Sequence, residues 1–505
     1  MTCVVIGAGV AGLAAAATLA QAGAGVAVFE QATSSGGLAR YGADRPEFQA
    51  GAHLLPAGAL RRCLVALGLK DRVPLVPLDP GYAVVFPDRR YPVRGPEALR
   101  QELSALWPVE SPGLERFFQA VTTPGTDPSA PMGGALAGTL QHWLGGFTGD
   151  PELQAALSAL WVTCGLPPGR LSAAHYLERW RALHEERPVA LSGGTAALIA
   201  ALEQAVEAAG GTIRRNLPVE RILRHGGEVF GVRLADGTEL QARAVISTAN
   251  PQDTFEELLS LPDQPAAGYP PLRAGFVTAL SALHVHLQIS GDLTLPARTT
   301  LLYSSYDSGE AYRDLQRSEP QFQAMLCTAW EPWEAAAPGP EGTRLLSLFA
   351  PIPYSRYDDW EAPLELRRGE GYREVAAYRD LRDRLADRLV EQAAVLIPGL
   401  PEKVVDRLVE TPLTLERLTW NTGGSAYGWA PIPEQADAFA PGVETTFRGL
   451  WLAGHWTAPG GSLAGALASG IQAARCALEP VPPREPGPTA GTSFRTSPSR
   501  GRSRR

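Results

Sequence analysis

The chain begins with the apolar stretch Thr2-Cys3-Val4-Val5-Ile6 and continues with Gly7-Ala8-Gly9-Val10-Ala11-Gly12. An alanine-rich stretch follows, and a second apolar stretch, Gly25-Val26-Ala27-Val28-Phe29, ends at Glu30. This pattern is the fingerprint of a βαβ unit that binds a dinucleotide: a strand, a G-x-G-x-x-G turn, a helix, a second strand and an acidic residue. A lone glycine-rich turn is a weak signal, but here every part of the pattern occurs in register.

The three glycines have separate roles in this pattern. Gly7 permits the tight turn out of the strand, Gly9 lets the backbone approach a pyrophosphate, and Gly12 lets helix and strand pack closely. The helix that starts near Val10 directs its N–H groups and positive dipole end at the phosphates. Glu30 lies where a carboxylate accepts hydrogen bonds from ribose hydroxyls, and its charge would repel a 2′-phosphate.

The bulk composition is that of a globular protein with more than one domain. The chain has 505 residues, of which 45% are hydrophobic and 19% charged, and its net charge is −8. This charge argues against nucleic acid as a partner. The five cysteines are odd in number and far apart, so we expect core thiols in a reducing compartment rather than disulfides. No signal peptide and no membrane-spanning run are expected, because no basic leader or long apolar stretch occurs.

The remaining patterns predict an α/β fold: a Rossmann-like, dinucleotide-binding domain that is discontinuous, interrupted by a mixed α+β substrate domain. Residues 1–73, 188–253 and 405–480 are assigned to the first domain, and residues 74–187 and 254–404 to the second. Helices are predicted over 59–67, 196–209 and 372–397. Residues 481–505, rich in Pro, Ser, Gly and Arg, are predicted to be disordered.

Later motifs resemble the FAD-dependent, amine-oxidase-like superfamily. They are Gly36-Gly37-Leu38-Ala39-Arg40, Phe48-Gln49-Ala50-Gly51-Ala52-His53, Gly193-Gly194-Thr195 and Gly449-Leu450-Trp451-Leu452-Ala453-Gly454. Within it, the chain resembles the phytoene desaturase, carotenoid isomerase and retinol saturase branch. The branch features are Val245-Ile246-Ser247-Thr248-Ala249-Asn250-Pro251, Gly424-Ser425-Ala426-Tyr427-Gly428 and Thr457-Ala458-Pro459-Gly460-Gly461-Ser462.

The resemblance implies FAD as the cofactor and assigns a set of residues to it. These are Gly7, Gly9, Val10, Ala11, Gly12, Glu30, Gln31, Gly37, Leu38, Arg40, Ala52, His53, Val219, Gly454, His455, Gly461, Ser462 and Leu463. A helix beginning near Leu463 would bring a second N-terminus toward the flavin ring. Two positions depart from the family pattern. His455 stands where many relatives have an acid, and Leu38 stands where several have arginine, so Arg40 is expected to supply the phosphate-side charge.

Candidate pocket residues are His53, Trp420, Tyr427 and Trp429. Core packing explains the three aromatic residues equally well, and the alternative for His53 is a structural histidine whose hydrogen bonds are satisfied. The general base is not identified. His284 and His286 alternate on a predicted strand, but no acid or cysteine lies at ligand spacing, so no metal site is expected there.

The expected activity is that of a FAD-dependent oxidoreductase acting on a hydrophobic isoprenoid or polyene by desaturation, saturation or isomerisation. The alternative is an amine or protoporphyrinogen-type oxidase. Amine oxidases usually hold a lysine near the flavin. The chain has only two lysines, Lys70 and Lys403, and neither falls where such a residue is expected, which disfavours this alternative. A non-enzymatic prenyl carrier is a third hypothesis, opposed by the intact fingerprint. The expected partner is a hydrophobic small molecule and the expected location cytoplasmic, with peripheral membrane contact and oligomeric state left open.

Overall fold

The computed structural model describes residues 2–40, 45, 48, 52–123, 138–261, 275–292, 294–317, 319–335, 339–354, 371–436, 442–458 and 460–479. The tail predicted to be disordered lies outside these residues. The strands, numbered along the chain, are β1 Cys3–Ile6, β2 Val26–Phe29, β3 Leu75–Pro77, β4 Tyr82–Val85, β5 Arg90–Val93, β6 Val189–Leu191, β7 Thr212–Arg214, β8 Val219–His225, β9 Glu228–Leu234, β10 Glu239–Gln241, β11 Ala244–Ser247, β12 Ser281–Ser290, β13 Thr299–Tyr303, β14 Ala324–Trp330, β15 Thr343–Ile352, β16 Val404–Glu410 and β17 Leu450–Leu452.

The helices are numbered in the same way. They are α1 Val10–Gln21, α2 Ala57–Ala66, α3 Pro96–Leu106, α4 Ser111–Thr122, α5 Leu140–Leu144, α6 Pro151–Leu157, α7 Ala173–His184, α8 Gly194–Ala208, α9 Ser308–Asp314, α10 Ala376–Ala393, α11 Leu400–Lys403, α12 Pro412–Thr419, α13 Pro433–Ala436 and α14 Leu463–Leu478. The predicted helices over 59–67, 196–209 and 372–397 correspond to α2, α8 and α10.

A five-stranded parallel sheet forms the centre of the dinucleotide-binding part. Its strand order is β17-β11-β1-β2-β7, and every neighbouring pair is parallel. The predicted βαβ unit therefore folds as the sequence indicates, and the α/β, Rossmann-like fold class is confirmed. Strand β1 lies in the middle, paired with β2 on one side and with β11 on the other.

Alternate residues of β1 belong to two different cores. Cys3 and Val5 pack with the apolar faces of α1, α8 and α14. Val4 and Ile6 pack instead with Val232 of the antiparallel sheet β10-β9-β8. Both faces of β1 are thus buried, which explains why its sequence is continuously apolar.

A seven-stranded sheet, in the order β16-β12-β15-β14-β13-β4-β5, forms the centre of the second part. All its pairs are antiparallel except β13 with β4. Strand β16 belongs to this sheet, although residues 405–410 were assigned to the dinucleotide-binding domain. The cross-strand pairing of β16 with β12 puts it there. The division into two domains otherwise stays a prediction.

The helical stretch from α3 to α7 packs beside this larger sheet. Its apolar side chains share one core with strands β4, β5, β12, β13, β14 and β15. Among the described helices, none combines the length and the hydropathy needed to cross a bilayer.

Candidate functional site

A cavity of about 330 Å³ extends from the fingerprint toward the larger sheet. One end is formed by the turn after β1, by Glu30 at the end of β2, and by Val219 at the start of β8. The other end includes Leu326 of β14 and Phe349 of β15. The cavity therefore joins the dinucleotide-binding part to the larger sheet.

The local geometry requires glycine at two of the three fingerprint positions, Gly7 and Gly12. A Cβ on Gly12 would lie 2.0 Å from the carbonyl oxygen of Gly7, so only glycine allows helix α1 this close to the turn. Gly7 adopts a φ of 94°, a conformation that L side chains rarely adopt. A Cβ on Gly9 would meet no heavy atom within 4 Å. The space in front of Gly9 is thus open, as expected where a pyrophosphate approaches the backbone.

Glu30 is buried and fixed by two backbone N–H groups. Its Oε2 accepts from Ala8 N at 2.6 Å, and its Oε1 accepts from Ala32 N at 2.8 Å. Burial raises the pKa of this carboxyl group, although the backbone hydrogen bonds oppose the shift. Each oxygen keeps a second lone pair, so the carboxyl group can also accept from hydroxyl groups of a ligand in the cavity.

A second helix N-terminus meets the cavity at Ser462. The Ser462 Oγ caps α14 by accepting from Gly465 N at 3.0 Å, and Gly461, Ser462 and Leu463 line the cavity. His455 also lines it, and its buried Nε2 has no hydrogen-bond partner among the described residues. Burial lowers the pKa of His455 to about 4, so the ring is neutral at pH 7 and can donate or accept one hydrogen bond.

Most residues predicted for the cofactor do line this cavity. They are Gly7, Gly9, Val10, Ala11, Glu30, Gln31, Gly37, Leu38, Ala52, His53, Val219, Gly454, His455, Gly461, Ser462 and Leu463. Gly12 lies behind the turn, where it contacts Gly7. Arg40, expected to supply charge, is half-buried at the end of its turn and is not among the lining residues.

The predicted aromatic residues separate into two groups. Trp420 and Tyr427 line the cavity, and Asn250 Nδ2 holds the Trp420 backbone by donating to its carbonyl oxygen at 2.5 Å. Trp429 does not line it. The Trp429 indole is directed elsewhere because its Nε1 donates to the carbonyl oxygen of Trp456 at 3.1 Å. The Trp429 ring packs edge-on against Trp456 at 4.9 Å.

Several lining residues were missed by the sequence analysis. Leu326 and Phe349 come from strands whose pairing the sequence does not reveal, and they lie opposite one another in register. Arg179 of α7 reaches the cavity with its Nε 3.2 Å from Thr163 Oγ1. Thr248 lines the cavity beside Gly7. Its position at the end of a predicted parallel strand is the one signal that could have identified it.

His53 connects the cavity wall to a buried polar cluster in the larger sheet. Its Nδ1 lies 2.7 Å from Thr328 Oγ1, and its Nε2 lies 3.2 Å from His284 Nε2. Burial, followed by the charge of Arg298, lowers the pKa of His53 to about 3. Burial likewise lowers the pKa of His284. His286 contacts Glu410, so an acid does reach the histidine pair, contrary to the expectation from spacing. Strand β16 brings this carboxyl group from a distant part of the chain.

The family model for flavin containing amine oxidoreductases matches residues 10–338 and 371–478. The chain belongs to this family. FAD is accordingly its cofactor, as the resemblance predicted. The residues present fit FAD, since the open space at Gly9, the Glu30 carboxyl group, the unpartnered His455 Nε2 and two helix N-termini all meet one cavity.

Similar proteins are named for their action on retinol, phytoene and prolycopene. A lycopene-forming phytoene desaturase of Pseudescherichia vulneris is 27% identical, over 94% of this chain and 99% of that protein. An all-trans-retinol 13,14-reductase of Macaca fascicularis is 25% identical, over 84% of this chain and 76% of that protein. A chloroplastic prolycopene isomerase of Daucus carota is 26% identical, over 56% of this chain and 43% of that protein.

Solved structures with the same fold include enzymes of other kinds. An oxidoreductase from Methanosarcina mazei matches with a TM-score of 0.63 at 20% identity, covering 94% of this chain and 99% of that one. A putrescine oxidase matches with a TM-score of 0.58 at 16% identity, covering 94% and 98%. At these identities the likeness concerns the fold alone.

Proposed function

We propose that this FAD-dependent oxidoreductase acts on a hydrophobic isoprenoid or polyene, by desaturation, saturation or isomerisation. The observation that carries the proposal is the apolar wall that the larger sheet presents to the cofactor cavity. Leu326 and Phe349 form this wall, together with Tyr427. The names of the relatives, which include a retinol reductase, phytoene desaturases and a prolycopene isomerase, support the same substrate class.

The wall suits a chain of conjugated double bonds. The rings of Phe349 and Tyr427 are 6.4 Å apart at an interplanar angle of 85°, an edge-to-face pair that offers aromatic surface to a flat apolar molecule. Each buried methylene equivalent of a ligand contributes about 0.8 kcal/mol. A polyene therefore binds here through burial rather than through ion pairs.

Individual residues would have separate roles around the cofactor. Gly9 and the N-terminus of α1 would hold the pyrophosphate, Glu30 the ribose, and Val219 the adenine. Bound FAD supplies the two-electron redox chemistry. Phe349 and Tyr427 would orient the substrate beside the cofactor and exclude water from the reacting carbons.

The amine-oxidase alternative lacks support from the described residues of the cavity. Neither Lys70 nor Lys403 is among its lining residues. A carboxylate beside the substrate would favour a protonated amine. Apart from Glu30, the lining acids Asp253 and Glu257 lie on a π-helical turn that packs against β8, at the fingerprint end of the cavity.

Anaerobic flavin spectroscopy tests the proposal. Oxidised protein is mixed with phytoene in liposomes, and chemically reduced protein with a polyene such as lycopene or all-trans-retinol, while flavin absorbance and extracted products are followed. We expect conversion of at least one isoprenoid and no reaction with putrescine or benzylamine. Flavin reduction by amines, with no isoprenoid converted, would refute the proposal.

A pair of variants tests the apolar wall itself. Tyr427→Ser should raise KM about tenfold, because losing the ring contact costs roughly 1.5 kcal/mol, while FAD content stays unchanged. Tyr306→Ser is the matched control, since Tyr306 stacks on Phe86 at 4.4 Å and is not among the lining residues of the cavity. Equal KM values for the two variants would contradict the assignment of the wall to substrate binding.

A further inference from the structure

Three ionisable side chains converge inside the larger sheet, next to the cavity but outside it. His284 and His286 alternate on β12, and Glu410 ends β16 directly opposite His284 in the strand register. All three are buried, with exposures of 2%, 0% and 3%. A carboxyl group this deep in a core is costly unless it is paired with another charge or coordinates a metal ion.

The donor atoms of these residues are close enough to share one ion. One donor atom from each residue lies within 4.8 Å of the others. His286 Nε2 is 3.2 Å from Glu410 Oε2. His53 lies beside the cluster, with its Nε2 3.2 Å from His284 Nε2. Tetrahedral zinc with bonds near 2.05 Å has ligand-to-ligand distances of about 3.3 Å. The distance between His286 Nε2 and Glu410 Oε2 matches that spacing.

Hydroxyl groups hold Nδ1 of His286 and Nδ1 of the neighbouring His53. His286 Nδ1 lies 2.7 Å from Ser347 Oγ, which also accepts from Trp330 Nε1 at 2.7 Å. His53 Nδ1 lies 2.7 Å from Thr328 Oγ1. When Nδ1 donates to such an oxygen, Nε2 is left with its lone pair directed into the cluster. Histidine ligands of metal ions are commonly oriented by an outer hydrogen bond of this kind.

We propose that His284, His286 and Glu410 bind a divalent transition-metal ion of the zinc type. Two imidazoles and a carboxylate are a known zinc donor set, and imidazole also suits copper, iron and nickel. The ion would join β12 to the edge strand β16 and hold His284, which contacts His53 at the cavity wall. This proposal is independent of the substrate class proposed above.

Zinc titration of the full-length, FAD-loaded protein tests the site. The protein is treated with chelator, dialysed, titrated with ZnCl₂ and passed through gel filtration, and bound zinc is measured by mass spectrometry. We expect about one zinc ion per chain and a higher Tm in the presence of zinc. A wild-type chain that takes up no zinc in the micromolar range overturns the proposal.

Three variants separate this site from adventitious binding at other histidines. Glu410→Gln removes a ligand charge, and Ser347→Ala removes an outer hydrogen bond, so zinc affinity should fall at least tenfold in the first and about tenfold in the second. His184→Gln is the matched control, because His184 is equally buried but bonds to Tyr82 and Trp180 instead. FAD content and circular dichroism report folding in each variant. If Glu410→Gln does not fold, the zinc affinity of Ser347→Ala tests the proposal instead. Zinc affinity unchanged in every folded cluster variant overturns the assignment.

Discussion

Substitution of Gly9 separates the cofactor-binding role of the fingerprint from its role in folding. A Cβ at this position meets no heavy atom within 4 Å, and the backbone φ of −67° and ψ of 171° is open to any L-residue. The apoprotein should therefore accept Gly9→Val with little loss of stability. The valine side chain would instead occupy the space through which the pyrophosphate approaches.

The expected loss of FAD affinity follows from the hydrogen bonds that this approach allows. A hydrogen bond to a charged group contributes about 1.5–3 kcal/mol. If two backbone N–H groups at the start of α1 no longer reach the phosphates, binding weakens by roughly 3–6 kcal/mol, which is about two to four orders of magnitude in Kd. Because the space in front of Gly9 is open, the substitution should weaken FAD binding without destabilising the apoprotein.

Quenching of flavin fluorescence measures the Kd, and urea denaturation of the apoprotein measures the free energy of unfolding. Gly149→Val is the matched control, because a Cβ there also meets nothing within 4 Å and Gly149 is not among the residues lining the cavity. The reasoning is refuted if Gly9→Val binds FAD as tightly as Gly149→Val, or if its apoprotein fails to fold.

Three further changes have expected outcomes. Glu30→Ala should weaken FAD binding about ten- to a hundredfold by flavin fluorescence titration and also destabilise the apoprotein by about 1–3 kcal/mol, since Ala8 N and Ala32 N lose their acceptors. Glu30→Gln should recover only part of the stability, because its amide keeps one acceptor oxygen and places an NH2 donor opposite the other N–H. Burial lowers the pKa of His184 from 6.5 to about 4, so its contribution to stability is complete above pH 6.5 and is lost as pH falls toward 4. Between pH 7 and pH 4, the free energy of unfolding measured by urea denaturation should therefore fall by about 3 kcal/mol less in His184→Gln than in the wild type. Parallel pH profiles of the two proteins would disprove this. Truncation after Pro480 should leave the FAD content by absorbance intact, because Ala466 is the last described residue to line the cavity.

The local part of the fold could be predicted closely from the sequence. The apolar stretches at residues 2–6 and 25–29 became β1 and β2, and the helix predicted to start near Val10 begins there. Strands, turns and helix caps in a βαβ unit depend on neighbouring residues, so a single sequence contains the signal.

Features that depend on pairing between distant segments could not be predicted in this way. The order of the larger sheet brings Glu410 opposite His284, and no spacing within either segment indicates it. The direction in which a loop side chain points is equally hard to predict from the sequence. Trp420 and Tyr427 reach the cavity, whereas Trp429 donates its indole N–H to Trp456 instead.

Helices α1 and α14 contact each other so closely that a Cβ on Gly470 would lie 2.1 Å from the carbonyl oxygen of Ala11. The first and last described helices thus form one wall, and both of their N-termini meet the cofactor cavity. While the ribosome is still translating, the nascent chain exposes Gly9 and Glu30 without Gly454 or Ser462. The complete cofactor site therefore forms only after α14 has been synthesised, and a chain stopped short of α14 would lack one of the two helix N-termini that meet the cavity.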